Sequence, residues 1–198
     1  MSSSPKMRIT HFDTWIGSSY FEKLLCNKRI LILGESHYGD GDADKSVQLI
    51  EETINGNFSH SFYTKIALSF LEENAAADLS LKRKQFFWNA VAYNNFVQEH
   101  LDASRQSPSN AMWERGRQAF YEILQETKPD FVFVCGYRLW EQLPKTHQQI
   151  QLKTDGYHIA NYNFEGVNAN CLRIKHPSSN YSSQEVYGKV KELFVNNL

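Results

Sequence analysis

Residues 30–40 read Ile-Leu-Ile-Leu-Gly-Glu-Ser-His-Tyr-Gly-Asp, so four apolar side chains run directly into a carboxylate, a hydroxyl, an imidazole and a phenol. Glu35, Ser36, His37 and Tyr38 are residue types that exchange protons or hydrogen-bond a substrate. An unpaired carboxylate at the end of a buried strand is costly. Glu35 therefore needs either a catalytic task or a cation, with Arg138 and Arg173 as candidate partners. Further polar segments close later apolar runs: Asn89-Ala-Val-Ala-Tyr-Asn-Asn, Gly136-Tyr-Arg and His176-Pro-Ser-Ser-Asn.

The elements that would position these groups can be read from periodicity. Residues 28–34 form a short apolar run closed by glycine, the pattern of a strand buried on both faces, and residues 130–136 repeat it. Residues 86–93 are an aromatic, strand-like run, and residues 171–180 begin as a strand and end in a Pro/Ser turn. Val47, Ile50 and Ile54 recur at helical spacing before the stop at 55–57, and Phe62, Ile66 and Phe70 suggest a second helix. Met112, Ala119, Phe120, Ile123 and Leu124 mark one face of a longer helix ended by Lys128-Pro129. Residues 137–143 predict a short helix, and Ser182 to Glu185 form a capping-box signal ahead of Val186, Val190, Leu193 and Phe194. Strands alternating with helices require crossover connections, which predicts an α/β protein with a mainly parallel sheet. In such sheets ligands bind beyond the carboxyl ends of the strands, so the polar ends are expected to converge on one rim.

Composition bounds the answer. The chain has 198 residues, which suits a single domain spanning 1–198 with a substantial core. An apolar content of 41%, with 13 Phe, 10 Tyr and 4 Trp, argues against disorder. The formal net charge of −1 gives no global attraction to nucleic acid, so any such binding must rest on a local patch. No secretory h-region opens the sequence, and no apolar run approaches the roughly 18 residues of a membrane span. A cytoplasmic protein without membrane contact is expected. Cys26, Cys135 and Cys171 are odd in number and far apart, which fits reduced thiols and no metal site. No cofactor is expected.

The order Gly34 to Tyr38, then Asn89-Ala-Val, then Lys-Pro-Asp-Phe-Val-Phe-Val-Cys-Gly136, then His176-Pro-Ser-Ser resembles the uracil-DNA glycosylase superfamily over about residues 29–181. The resemblance implies a three-layer α/β/α sandwich around a mainly parallel four-stranded sheet. It implies an enzyme that hydrolyses the N-glycosidic bond of uracil or another damaged base flipped out of DNA. Gly34 and Tyr38 match the motif after the first core strand, with Tyr38 walling the pocket against a base that bears a methyl group. The resemblance makes Asn89 the reader of the base edge and Phe62 a ring that stacks on the base. His176 becomes a donor to the base oxygen, and Ser178 completes the His-Pro-Ser turn. Lys82, Arg83, Lys84, Arg138 and Lys175 are expected at DNA phosphates. Tyr181 is the nearest bulky residue for a wedge into the duplex. DNA, or a free base or nucleotide, is the expected partner, and the protein is expected to be monomeric.

The chain also departs from the superfamily's best-known members. They carry a water-activating Asp where this chain has Ser36, which holds no negative charge at neutral pH. They carry Pro in place of His37. Glu35 is the nearest carboxylate, yet successive residues leaving a strand point in different directions. Two other classes therefore compete. One is a member that kept the pocket, lost the chemistry and binds a base or nucleotide. The other is a hydrolase, since Gly34-Glu-Ser-His also resembles the Gly-Glu-x-His signature of erythromycin esterase-like enzymes. That match accounts for Glu35 and His37 together but leaves Asn89-Ala-Val and His176-Pro-Ser-Ser unexplained. Asp40, Asp42, Asp44 and Glu51 mimic the spacing of an EF-hand calcium loop. Lys45 stands where such a loop turns on glycine, so the segment reads instead as an acidic turn opening a helix.

Overall fold

The computed structural model describes residues 10–38, 45–73, 79–103, 106–145 and 158–195. Its strands are β1 (Trp15–Ile16), β2 (Ile30–Gly34), β3 (His37–Tyr38), β4 (Val91–Asn95), β5 (His100–Leu101), β6 (Phe131–Cys135), β7 (Ile159–Phe164) and β8 (Val167–Ile174). Its helices are α1 (Lys45–Ile54), α2 (Ser61–Leu68), α3 (Leu81–Ala90), α4 (Asn110–Thr127), α5 (Tyr137–Gln142) and α6 (Ser183–Val195). The main sheet has six strands in the order β1-β4-β2-β6-β8-β7, and β3 pairs with β5 in a separate parallel ribbon.

The four central strands β4, β2, β6 and β8 are parallel, whereas β1 joins β4 and β7 joins β8 antiparallel. The expected four-stranded sheet is therefore the parallel centre of a mixed six-stranded one. The added edges lack the apolar run that marks a central strand. β1 has only two residues, and β7 carries Asn161 and Asn163 among its apolar positions. β7 reaches β8 through a tight hairpin in which Glu165 (φ 43°) and Gly166 (φ 80°) both adopt positive φ. That is the turn geometry whose twist suits antiparallel strands.

The unbroken apolar pattern of β2 follows from burial on both sides. Ile30 and Ile32 join the core formed with α1, α2, α3 and α6, while Leu31 and Leu33 face the core formed with α4 and α5. Each such side chain contributes about 1.5–3 kcal/mol by leaving water. Ser109 caps α4, and Lys128, in the left-handed conformation, ends it before Pro129. The Ser182 hydroxyl accepts the Glu185 backbone N–H at 3.2 Å, as the capping signal predicts.

Residues 86–93 are not one strand. α3 continues through Ala90, and β4 begins at Val91. Phe87, Trp88 and Ala90 are buried while Phe86 is exposed, so packing of one helical face outweighs the strand preference of an aromatic run. The carbonyls at the end of α3 find partners in the β1 region. Trp15 Nε1 donates to the Trp88 carbonyl, and the Ser19 backbone N–H donates to the Asn89 carbonyl, each at 2.8 Å. The acidic positions Asp40, Asp42 and Asp44 lie outside the described residues. No helix among the described residues is long and apolar enough to cross a membrane. Cys135 and Cys171 are buried, Cys26 is exposed, and all are free.

Candidate active site

The parallel strands deliver their last residues to one rim, where Gly34 pairs with Asn95 and Cys135 with Ile174. Beyond it lies a pocket of about 190 Å³ lined by residues 34–38, Phe62, Tyr63, Tyr93, Asn95, His176 and Ser178, with Leu49, Phe58 and His60 completing the wall. This is smaller than the ~300–1,000 Å³ of clefts that hold drug-sized ligands, and its scale suits a single planar ring.

Asn95 is fully enclosed at the end of β4. Its Oδ1 accepts the Tyr93 hydroxyl at 3.1 Å, and its Nδ2 has no hydrogen-bond partner. The amide lodges over β2 because residue 34 has no side chain. A Cβ there would meet Asn95 Oδ1 at 2.1 Å and the Tyr93 hydroxyl at 2.9 Å. A buried N–H₂ without a partner costs roughly 1–3 kcal/mol, which in a pocket marks a place for an acceptor.

His176 follows β8 and packs against Gly136, whose φ of 125° lies in the region that glycine favours. Its Nδ1 accepts the Ser178 backbone N–H at 3.1 Å. In the neutral ring this leaves the proton on Nε2. Burial lowers the His176 pKa, an effect that the Glu35 carboxylate opposes and Arg138 reinforces, so the ring is a neutral donor at neutral pH. Phe62 lies 5.5 Å from it, centroid to centroid, with its own ring in the pocket wall.

Glu35 has the partner its burial demands. Arg138 donates from Nε to Glu35 Oε2 at 2.9 Å and from a second guanidinium nitrogen to Oε1, and reaches Ser107 Oγ at 3.0 Å. Ser36 Oγ is buried without a hydrogen-bond partner. His37 Nε2 lies 2.6 Å from Ser46 Oγ, and its ring packs edge-on against Phe12. Tyr38 is half exposed at the mouth. Glu35 and His37 are thus drawn to different partners, Arg138 and Ser46, which weakens a joint Gly-Glu-x-His arrangement. No group of three or more His, Cys, Asp or Glu side chains able to hold a metal occurs among the described residues.

Of the residues expected at the site, Gly34, Glu35, Ser36, His37, Tyr38, Phe62, His176 and Ser178 do line the pocket. Asn89 does not. It sits in the last turn of α3, before β4 begins, at the opposite end of the sheet, where its Oδ1 accepts the Ser18 hydroxyl at 3.1 Å. Placing the strand too early put the wrong asparagine on the rim, and Asn95 occupies the position instead. The signal that finds it is register, because the last residue of β4 pairs with the glycine that ends β2. Tyr181 is no wedge. Its ring packs against the core and its hydroxyl lies 2.6 Å from Ser69 Oγ. Arg83 is engaged by Glu73 through two hydrogen bonds of 2.5 and 3.0 Å, and Arg138 by Glu35. Lys175 lines a neighbouring groove with Arg173, whose guanidinium stacks 4.4 Å from the Tyr137 ring. Lys82 is exposed and Lys84 partly buried on α3.

No protein-family model matches the chain, and no curated protein matches it.

Proposed function

We propose that the protein takes up a base flipped out of DNA and hydrolyses its N-glycosidic bond, with a three-layer α/β/α fold resembling the uracil-DNA glycosylase superfamily and with Asn95 rather than Asn89 reading the base. The observation that carries this reading is the shared pocket of Asn95, His176 and Phe62 beyond the carboxyl ends of β4 and β8. Phe62 offers a face for the base, and Asn95 Nδ2 a donor for a base carbonyl. Cleavage sends the electron pair of the C–N bond onto the base and leaves positive charge on the sugar. The His176 Nε2–H stabilises the first charge. The Glu35 carboxylate faces the second and orients the water whose oxygen forms the new bond to the sugar carbon. Uracil, with carbonyls and no ring methyl, fits these donors.

A second reading has its own support. Ser36 stands where a carboxylate would activate water, and the nearest carboxylate is bound by Arg138. Both favour a base- or nucleotide-binding protein without cleavage. Excision of uracil from single- and double-stranded oligonucleotides separates the two. Turnover is expected, with Asn95→Ala and His176→Ala each lowering it by about 10²–10³-fold. Full turnover in both variants removes the assignment, and uracil binding without product supports the second reading. Affinity for DNA should fall steeply with salt if Lys82, Lys84 and Lys175 meet phosphates, and a flat response favours a free base or nucleotide.

A further inference from the structure

A neutral His176 donates from Nε2 only while Nδ1 is kept as an acceptor, so the group facing Nδ1 decides what the ring offers the pocket. Pro177 has no N–H, and the group is the Ser178 backbone N–H at 3.1 Å. The carbonyl of that same peptide unit belongs to Pro177, and it accepts the Lys65 ammonium at 2.8 Å. A trans peptide points its C=O and N–H in opposite directions, so Lys65 and His176 lie on its two sides. Every polarity along this relay is fixed. An ammonium and a backbone N–H only donate and a carbonyl oxygen only accepts, which leaves Nδ1 the acceptor. The positive charge strengthens the first bond and polarises the peptide, which makes its N–H a better donor.

Lys65 is partly buried on α2, one turn after Phe62, whose ring lies 5.5 Å from that of His176, centroid to centroid. The segment that follows His176 is tied to α2 without the ammonium. The Tyr181 hydroxyl lies 2.6 Å from Ser69 Oγ, and the Ser183 hydroxyl donates to the Lys65 main-chain carbonyl at 3.1 Å. A third tether costs the conformational entropy of a long side chain and adds little to this anchorage. What it adds is a charge at one particular peptide.

We propose that Lys65 is a positioning residue for His176, gripping the Pro177 carbonyl so that its peptide holds Nδ1 as acceptor and keeps the ring proton on Nε2. The inference rests on the reading of His176 as the donor to the base and adds to it the residue that sets the tautomer. Without the ammonium the Ser178 N–H is a weaker partner, and the proton is shared between the two ring nitrogens.

The test is long-range ¹H–¹⁵N spectroscopy of the imidazoles at neutral pH in the wild type and two variants. Lys65→Met keeps the chain length without the charge, and Lys65→Arg keeps the charge. Wild type should show His176 protonated on Nε2 alone. Lys65→Met should draw the Nδ1 and Nε2 signals together as tautomers mix and move the Ser178 amide proton upfield, and Lys65→Arg should restore both. Uracil excision by Lys65→Met should fall about tenfold in kcat with little change in KM, the loss typical of an outer contact that orients an imidazole. Unchanged His176 signals in Lys65→Met, even with a lowered urea midpoint, overturn the role of Lys65 and leave the base-excision reading intact. The expected shift in a protein whose wild type neither binds nor excises uracil supports the role of Lys65 and removes that reading alone. Should Lys65→Met not fold, the Lys65 ammonium protons of the wild type must exchange slowly with water and show through-space contact to residues 177 and 178, and their absence overturns the proposal.

Discussion

The two ends of the central sheet are built to opposite rules. At the end where the parallel strands begin, polar groups find protein partners. The Asp130 carboxylate accepts the Arg29 backbone N–H at 2.7 Å and its guanidinium at 3.2 Å, and the Tyr20 hydroxyl donates to the Thr127 carbonyl at 3.1 Å. Asn89 is tied there to Ser18. At the end where the strands finish, Ser36 Oγ and Asn95 Nδ2 are buried without hydrogen-bond partners around a cavity. One end spends its hydrogen-bonding capacity on the fold, and the other leaves two buried groups unspent beside the cavity. Trp88 Nε1, unpartnered inside the core between them, is an exception with no ligand-facing explanation.

The sharpest way to test this contrast is to add one methyl group at each end. A Cβ at Gly17 would lie 2.3 Å from the Asn89 carbonyl oxygen and 2.5 Å from that of Trp88, both main-chain atoms at the end of α3. Gly17→Ala should therefore cost about 3 kcal/mol in urea unfolding. Gly34→Ala meets a side-chain amide and a phenol instead, which can rotate away, so its stability loss should be nearer ~1 kcal/mol. Uracil binding should nevertheless vanish in Gly34→Ala, because the amide is displaced. Equal stability losses, or a Gly34→Ala protein that binds uracil normally, would erase the distinction.

A smaller effect separates the ends by pH. Burial holds His176 below the ordinary histidine value, so the unfolded chain takes up a proton first. Stability then falls as pH drops through about 6.5 and levels once the folded value is passed. Burial alone would raise the Asp130 carboxyl, but hydrogen bonds from Arg29 outweigh it and hold the folded value low. That contribution is complete above the unfolded value of about 3.9 and is lost as pH falls through the folded value. Urea unfolding from about pH 7.5 to about pH 3 should show both windows. His176→Gln should flatten the upper one and Asp130→Asn the lower, and a variant that flattens neither removes its residue from this account.

The smallest effect belongs to Asn89→Ala. Losing one exposed hydrogen bond to Ser18 should change stability by no more than about 0.5–1 kcal/mol and leave uracil binding unchanged. A large loss of binding would return Asn89 to the site.

Much of the fold was legible because burial on both faces writes itself into the chain. The apolar runs of β2 and β6, the Ser182 cap and the Lys128-Pro129 stop all carry local signals that the structure honours. The edges β1 and β7 were not legible, since a strand covered on one side or only two residues long leaves no such run. The site divided in the same way. Residues 34–38 and the His176 turn announce themselves by residue type next to a glycine or proline, whereas the boundary between α3 and β4 turns on which aromatic faces are buried.

Sequence alone determined that polar chemistry gathers where apolar strands end, because alternating strands and helices leave only that rim open to a ligand. Only the tertiary structure decided which asparagine stands there. Asn89 and Asn95 share one side-chain chemistry, and the strand between them carries one to the closed end and the other to the cavity. It also decided that Glu35 meets Arg138 and that Asn95 meets Tyr93, contacts that depend on packing between segments and on the room left by a missing side chain at position 34.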